Sequence, residues 1–199
     1  MQKLKIGITG AHGIGKTALA ISLTSYLKEL GFNAGYLKEF VRECPLPVGT
    51  KEKNSIDAQF WILCRQLTEE LEGLNNFDIF VCDRTVIDNY AYFLWNLRNG
   101  EDGGNLQKIA SEIFENWNST YDLIVKLPVA NMSLTTDGFR STDIEWQKDI
   151  DKIVDEILAM NKIKHYLINS KDKVSEIVKL LNLESSDEVV HKKVGAELD

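Results

Sequence analysis

The sequence predicts a three-layer α/β/α protein, with helices on both faces of a mainly parallel five-stranded sheet. Three observations lead there. Short β-rich runs recur at residues 3–9, 34–38, 77–82, 121–127 and 164–168, and helical patterns fill the gaps between them. Two of these runs, Phe77, Ile79, Phe80 and Val81, and Leu123, Ile124, Val125 and Leu127, are nearly continuous in apolar residues, as expected of strands buried on both faces. Residues 10–17, GAHGIGKT, lie between a strand pattern and a helix pattern, where a glycine-rich phosphate loop belongs.

The elements follow in order. Leu4, Ile6 and Ile8 alternate as in a strand. The first helix carries Leu19, Leu23, Leu27 and Leu30 at helical spacing and stops at Gly31, a residue suited to a left-handed cap. A second helix over 55–74 shows the stripe Ile56, Phe60, Leu63, Leu67, Leu71 and Leu74, which packs most simply on the sheet or on another helix. The stretch 99–105, with Gly100, Gly103 and Gly104, reads as a surface connection between helices. Thr142 and Glu145 form a capping box that opens a helix lined by Ile150, Ile153, Ile157 and Met160. The last helix, 171–182, presents Val174, Ile177, Val178 and Leu181. Residues 184–199 lose the core pattern and read as a loose or peripheral tail, so the domain is 1–183.

A chain of 199 residues, 44% apolar, suffices for one domain that buries roughly 70% of its unfolded surface. Its formal charge of −7 sets up a field that repels nucleic-acid backbones and anionic membranes but leaves nucleotides open as ligands. Three cysteines without a CxxC pair and three scattered histidines argue against zinc. With no leader pattern and no long apolar run, the expectation is a reduced, soluble, cytoplasmic protein, with Cys82 a small filler in a buried strand.

A polyphosphate is a dense anion that needs many donors at close range, and backbone amides are the donors at hand. Gly10, Gly13 and Gly15 allow the chain to curl its N–H groups inward, so the loop of Gly10, Ala11, His12, Gly13, Ile14, Gly15, Lys16, Thr17 and Ala18 is the expected phosphate cradle. Lys16 reaches the β and γ phosphates and the Thr17 hydroxyl ligates Mg²⁺. The His12 side chain is expected to face solvent. The run ending at Cys82 delivers Asp83 to the carboxyl end of a strand, where it binds the metal or one of its waters, or else caps a helix. Arg84 and Asp88 lie one helical turn apart and can form a surface ion pair.

From Asp83 the sequence resembles the acidic-Arg-Ser/Thr segment of deoxynucleoside kinases and the Asp-Arg segment of thymidylate kinases. GAHGIGKT, Glu39-Phe40-Val41-Arg42, CDRTVIDNYAYF and Asp137-Gly138-Phe139-Arg140, taken in order, resemble the P-loop ATPase/kinase family that includes the ribosylnicotinamide kinase domain of bacterial NAD regulators. The likeness covers most of residues 3–182. It implies a P-loop fold with a helical lid, ATP and Mg²⁺ as cofactors, and phosphoryl transfer to a nucleoside, nucleotide or related small acceptor; a homodimer is the candidate assembly, which the resemblance does not decide. It further implies catalytic roles for Lys16, Glu39, Asp83, Arg84 and Arg140, with Glu39 or Asp83 taking the acceptor proton and Arg140 on the lid. Glu39, Arg42, Gln59 and Arg84 would meet the acceptor, between the 45–49 loop and the helix of Gln59, Trp61 and Arg65, near Tyr90 and Tyr92. Solvated or structural duties for Arg140, Glu39 and Arg42 remain open. Where the family carries an Arg near adenine, this chain has Lys171 and Lys173. The Asn-Lys-x-Asp guanine reader is absent, which favours ATP over GTP. The competing class is a nucleotide-dependent switch that hydrolyses slowly and acts through a protein partner.

Overall fold

The computed structural model describes residues 3–129 and 143–183. Thr142, Arg140 with the lid expected to carry it, and the expected tail lie outside them. The sheet holds β1 (Leu4–Thr9), β2 (Ala34–Leu37), β3 (Ile79–Asp83), β4 (Leu123–Lys126) and β5 (Tyr166–Leu167) in the order β2-β3-β1-β4-β5. Every pairing is parallel, so the sheet is parallel throughout rather than mainly so. The two continuous apolar runs are interior strands, β3 and β4, as their composition requires.

Alternation along the strands builds the two cores. Ile6, Ile8, Ile79, Val81, Leu123 and Val125 face α1 (Lys16–Glu29) and α6 (Lys173–Leu181). Phe80, Cys82 and Ile124 face the opposite layer, made by α2 (Ile56–Asn76), α3 (Val86–Arg98), α4 (Gly104–Trp117) and α5 (Ile144–Met160). Cys82 is fully buried, as expected of a filler. Gly7 faces this layer too, and a Cβ there would lie 2.4 Å from Thr85 Cγ2, so α3 starts in the space that the missing side chain leaves.

Helix ends follow local chemistry. Gly31 closes α1 at φ 85°. Ser55 caps α2 through Ala58 N–H. Helix α5 opens on Asp143, whose carboxylate accepts from Glu145 and Trp146 N–H, while the Thr142 member of the expected capping box lies outside the described residues. The stripe expected along α2 is corrected as well. Ile56 and Leu63 are buried, but Leu71 is 59% exposed, and Gln59, Gln66 and Glu70 occupy the buried face. Met160 also lies outside the core. Among the described residues no helix is long and apolar enough to cross a membrane.

Candidate functional site

Strand order dictates which loops meet. With β2, β3 and β1 side by side and parallel, their carboxyl ends place Glu39, the Asp83–Arg84 pair and the glycine loop in a row. Ile8 is in register with Asp83, and Arg84 N–H donates to the Ile8 carbonyl at 3.1 Å, so the loop and the strand-end carboxylate are held at one level.

The loop has the backbone that its glycines foretell. Gly10, Gly13 and Gly15 adopt φ of 136°, 74° and 91°. A Cβ on Gly10 would sit 2.8 Å from the Leu127 carbonyl, whereas one on Gly15 would meet nothing within 4 Å. The Lys16 ammonium rests on the Gly10 and Ala11 carbonyls at 2.6 and 2.5 Å, with Asp88 at 3.9 Å. Burial, and then the nearby Arg84 charge, lower its pKa to about 8. Thr17 Oγ1 donates to Asp83 Oδ2 at 2.5 Å. Burial raises the Asp83 pKa, Lys16 and Thr17 opposing it. Two hard oxygen donors beside an anion cradle fit Mg²⁺, with Thr17 and Asp83 as the residues that would hold it. Asp83 is not the helix cap; Thr85 is, in a capping box with Asp88.

Asp88 does not pair with Arg84. It is fully buried and turns to the loop, Oδ1 accepting from Gly10 N–H at 2.9 Å while Oδ2 accepts from Thr85 N–H and Oγ1. Arg84, at φ 90°, sends Nε and Nη2 to Glu39 Oε1 at 3.0 and 2.7 Å and lies 5.4 Å from the Tyr92 ring centre.

Beyond this ion pair is a cavity of about 40 Å³ lined by His12, Glu39, Val41, Val48, Gly49, Asn54, Gln59, Ile62, Arg84, Asn89, Tyr92 and Trp146. Glu39 and Arg84 also line the space at Gly13–Thr17 and Asp83, so they form the wall common to both. Gln59, Glu39 and Arg84, which the resemblance implied would meet the acceptor, all line this cavity. Arg42 is exposed and outside the cavity lining. Trp61 and Arg65 are likewise elsewhere, Arg65 pairing with Glu69, and Tyr90 stacks on Phe114 at 4.6 Å. Tyr92 is in the wall because α3 turns Tyr90 and Tyr92 to different sides. His12 is not solvent-facing: it is 4% exposed, its Nδ1 lies 2.9 Å from Tyr92 Oη, and its ring centre is 4.8 Å from that of Trp146. Gln147 Nε2 donates to its carbonyl.

Sequence reading missed Asn54, Asn89 and Trp146, and it named Asp88 only as a partner for Arg84. Only Asp88 left a signal, the Thr85-x-x-Asp88 box. It also missed a buried polar cluster beneath the cavity, in which Lys5 Nζ meets Glu70 Oε2 at 2.8 Å.

No curated protein matches the sequence. Among solved structures, the NadR protein in complex with NR matches at a TM-score of 0.73 and 16% identity, over 92% of this chain and 53% of that one, so the chain spans about half its length. The deoxyadenosine kinase from M. mycoides with bound dATP matches at 0.64 and 20% identity, over 90% of this chain and 100% of that one. Thymidylate kinase from Ehrlichia chaffeensis matches at 0.52 and 15%, over 91% and 100%. At these identities the likeness is one of fold, the P-loop α/β fold of these kinases. A family model described as an AAA domain matches residues 5–176, most of the chain, and the protein belongs to that P-loop family.

Proposed function

We propose that this protein transfers the γ-phosphoryl group of ATP, with Mg²⁺, to a hydroxyl of a nucleoside, nucleotide or related small acceptor. The observation that carries this reading is the Glu39–Arg84 pair, which lines both the phosphate loop and the neighbouring cavity. A site that only bound and hydrolysed nucleotide would not need a second, aromatic-walled compartment across a carboxylate. The solved kinases of the same fold, with their bound nucleosides and nucleotides, support the reading.

The loop amides and Lys16 would hold the triphosphate, Lys16 leaving the Gly10 and Ala11 carbonyls to do so. Thr17 and Asp83 would hold Mg²⁺, which would supply charge neutralisation on the phosphates. Glu39 takes the proton as the acceptor hydroxyl oxygen bonds to the γ phosphorus and the bond to the β–γ bridging oxygen breaks, with ADP leaving. Arg84 holds Glu39 in place through Nε and Nη2 and offers positive charge to the transferring group. Arg140, on the expected lid, would add a second cation. The 41–49 segment, without helix or strand, supplies Val41, Val48 and Gly49 to the cavity wall beside Glu39.

The test is ATP consumption with Mg²⁺ against nucleosides, nucleoside monophosphates and ribosylnicotinamide, with product masses and Lys16→Ala as control. A phosphorylated acceptor that vanishes in the control is the expected result. Slow hydrolysis that no acceptor stimulates would replace it with the switch reading.

A further inference from the structure

Two residues one turn apart on α3 reach the phosphate loop. Asp88 accepts from Gly10 N–H at 2.9 Å, and four residues on, Tyr92 Oη lies 2.9 Å from His12 Nδ1, one hydrogen bond whichever atom carries the proton. His12 is a fixed post for this contact. Gln147 Nε2 donates to its carbonyl at 2.6 Å and its ring centre lies 4.8 Å from that of Trp146, so successive residues of α5 hold its backbone and its side chain.

Tyr92 has a second neighbour. The guanidinium carbon of Arg84 stands 5.4 Å from the centre of its ring, within the range of a cation–π contact. Burial pushes the Tyr92 phenol up, with Arg84 opposing, so the hydroxyl keeps its proton and hydrogen-bonds as a neutral group. Arg84 needs outside support: at φ 90° a non-glycine backbone is strained and persists only where its surroundings impose it. Its N–H is tied to the Ile8 carbonyl, while its side chain is held by Glu39 and by the Tyr92 ring. Contacts therefore run without a break from Glu39 through Arg84 and Tyr92 to His12 in the loop.

We propose that Tyr92 is a positioning residue that sets the Glu39–Arg84 pair in register with the phosphate loop, its hydroxyl joined to His12 and its ring carrying Arg84. This rests on the kinase reading above and deepens it. In-line transfer demands that Glu39 and Arg84 be placed to within a fraction of an ångström of the phosphates that the loop would hold. The sheet alone does not join them directly, because β3 stands between β2, which leads to Glu39, and β1, which leads to the loop. The route through Tyr92 closes that gap along the cavity wall, which Tyr92 and His12 both line.

Tyr92→Phe removes the hydroxyl and keeps the ring against Arg84. With ATP and acceptor saturating, kcat should fall by about tenfold or more, while the acceptor KM and the ATP dissociation constant each change by less than about threefold. His12→Leu should lower kcat to a similar extent. The double variant should lie within about twofold of the slower single one, and His12→Asn, which keeps a hydrogen-bonding atom close to the place of Nδ1, should recover kcat to within about threefold of wild type. If His12→Leu melts early, the kcat and KM of Tyr92→Phe decide. A raised acceptor KM at constant kcat, or a double variant whose loss is the product of the two single losses, overturns the proposal while leaving the kinase reading intact. If the wild type phosphorylates no acceptor, the kinase reading falls and this inference with it.

Discussion

The carboxylate of Asp88 accepts a hydrogen bond from the Gly10 amide, 2.9 Å away and 78 residues earlier in the chain. One side chain thus closes the capping box of α3 and anchors the first glycine of the phosphate loop. The helix carrying Asn89 and Tyr92 is thereby joined directly to the nucleotide cradle.

Removing that carboxylate leaves three donors, Gly10 N–H, Thr85 N–H and Thr85 Oγ1, without their acceptor. Asp88→Ala should lower unfolding free energy by about 2–4 kcal/mol, from the lost cap and the unsatisfied buried amide. Urea denaturation measures this, and ATP affinity should fall in the same variant. A change below about 0.5 kcal/mol would show that the tie carries no weight.

Glu39→Gln should abolish acceptor phosphorylation while ATP still binds. The neutral amide keeps the shape of the Arg84 contact but cannot take the hydroxyl proton. Steady-state kinetics beside nucleotide titration separates the two effects. Undiminished turnover would remove Glu39 from the chemistry.

The Lys16 pKa, about 8 against its ordinary 10.5, has consequences of definite sign. Between those two pH values the unfolded chain binds more protons than the folded one, so this group adds stability as pH rises through that window. Bound phosphates would draw the pKa back up, so ATP binding should take up a proton there and weaken by up to about tenfold per pH unit above pH 8. Calorimetry in two buffers of different ionisation heat reads the proton uptake directly. A flat affinity profile would place Lys16 away from the phosphates.

Two loop glycines should respond differently to alanine. At Gly15 the new methyl meets no atom within 4 Å, so Gly15→Ala should cost only the left-handed backbone penalty, about 1–2 kcal/mol. At Gly10 the methyl would strike the Leu127 carbonyl at 2.8 Å, and Gly10→Ala should cost more than about 2 kcal/mol. Denaturation of both variants checks the order.

The order of elements, the loop and Asp83 were legible because they are local patterns: apolar periodicity, glycines where the chain must turn left, and a strand run that ends in a carboxylate. The stripe on α2 misled at Leu71 because periodicity reports an apolar face and cannot show that the buried side contains Gln59, Gln66 and Glu70. His12 was misplaced because its burial depends on Tyr92 and Trp146, which are 80 and 134 residues away.

By itself, the sequence determined the P-loop, its lysine and hydroxyl, the parallel α/β architecture and the carboxylate at the end of β3, since each follows from residues within one or two turns of one another. Only the tertiary structure decided that Arg84 pairs with Glu39 rather than Asp88, that Asp88 secures Gly10, and that Lys5, Glu70, Gln66 and Asn89 form one hydrogen-bonded chain. The reason is the cost of burying polar groups. Each must find a partner, and the partner is chosen by the strand order β2-β3-β1 and by the helices that cross it, a choice that no local pattern records.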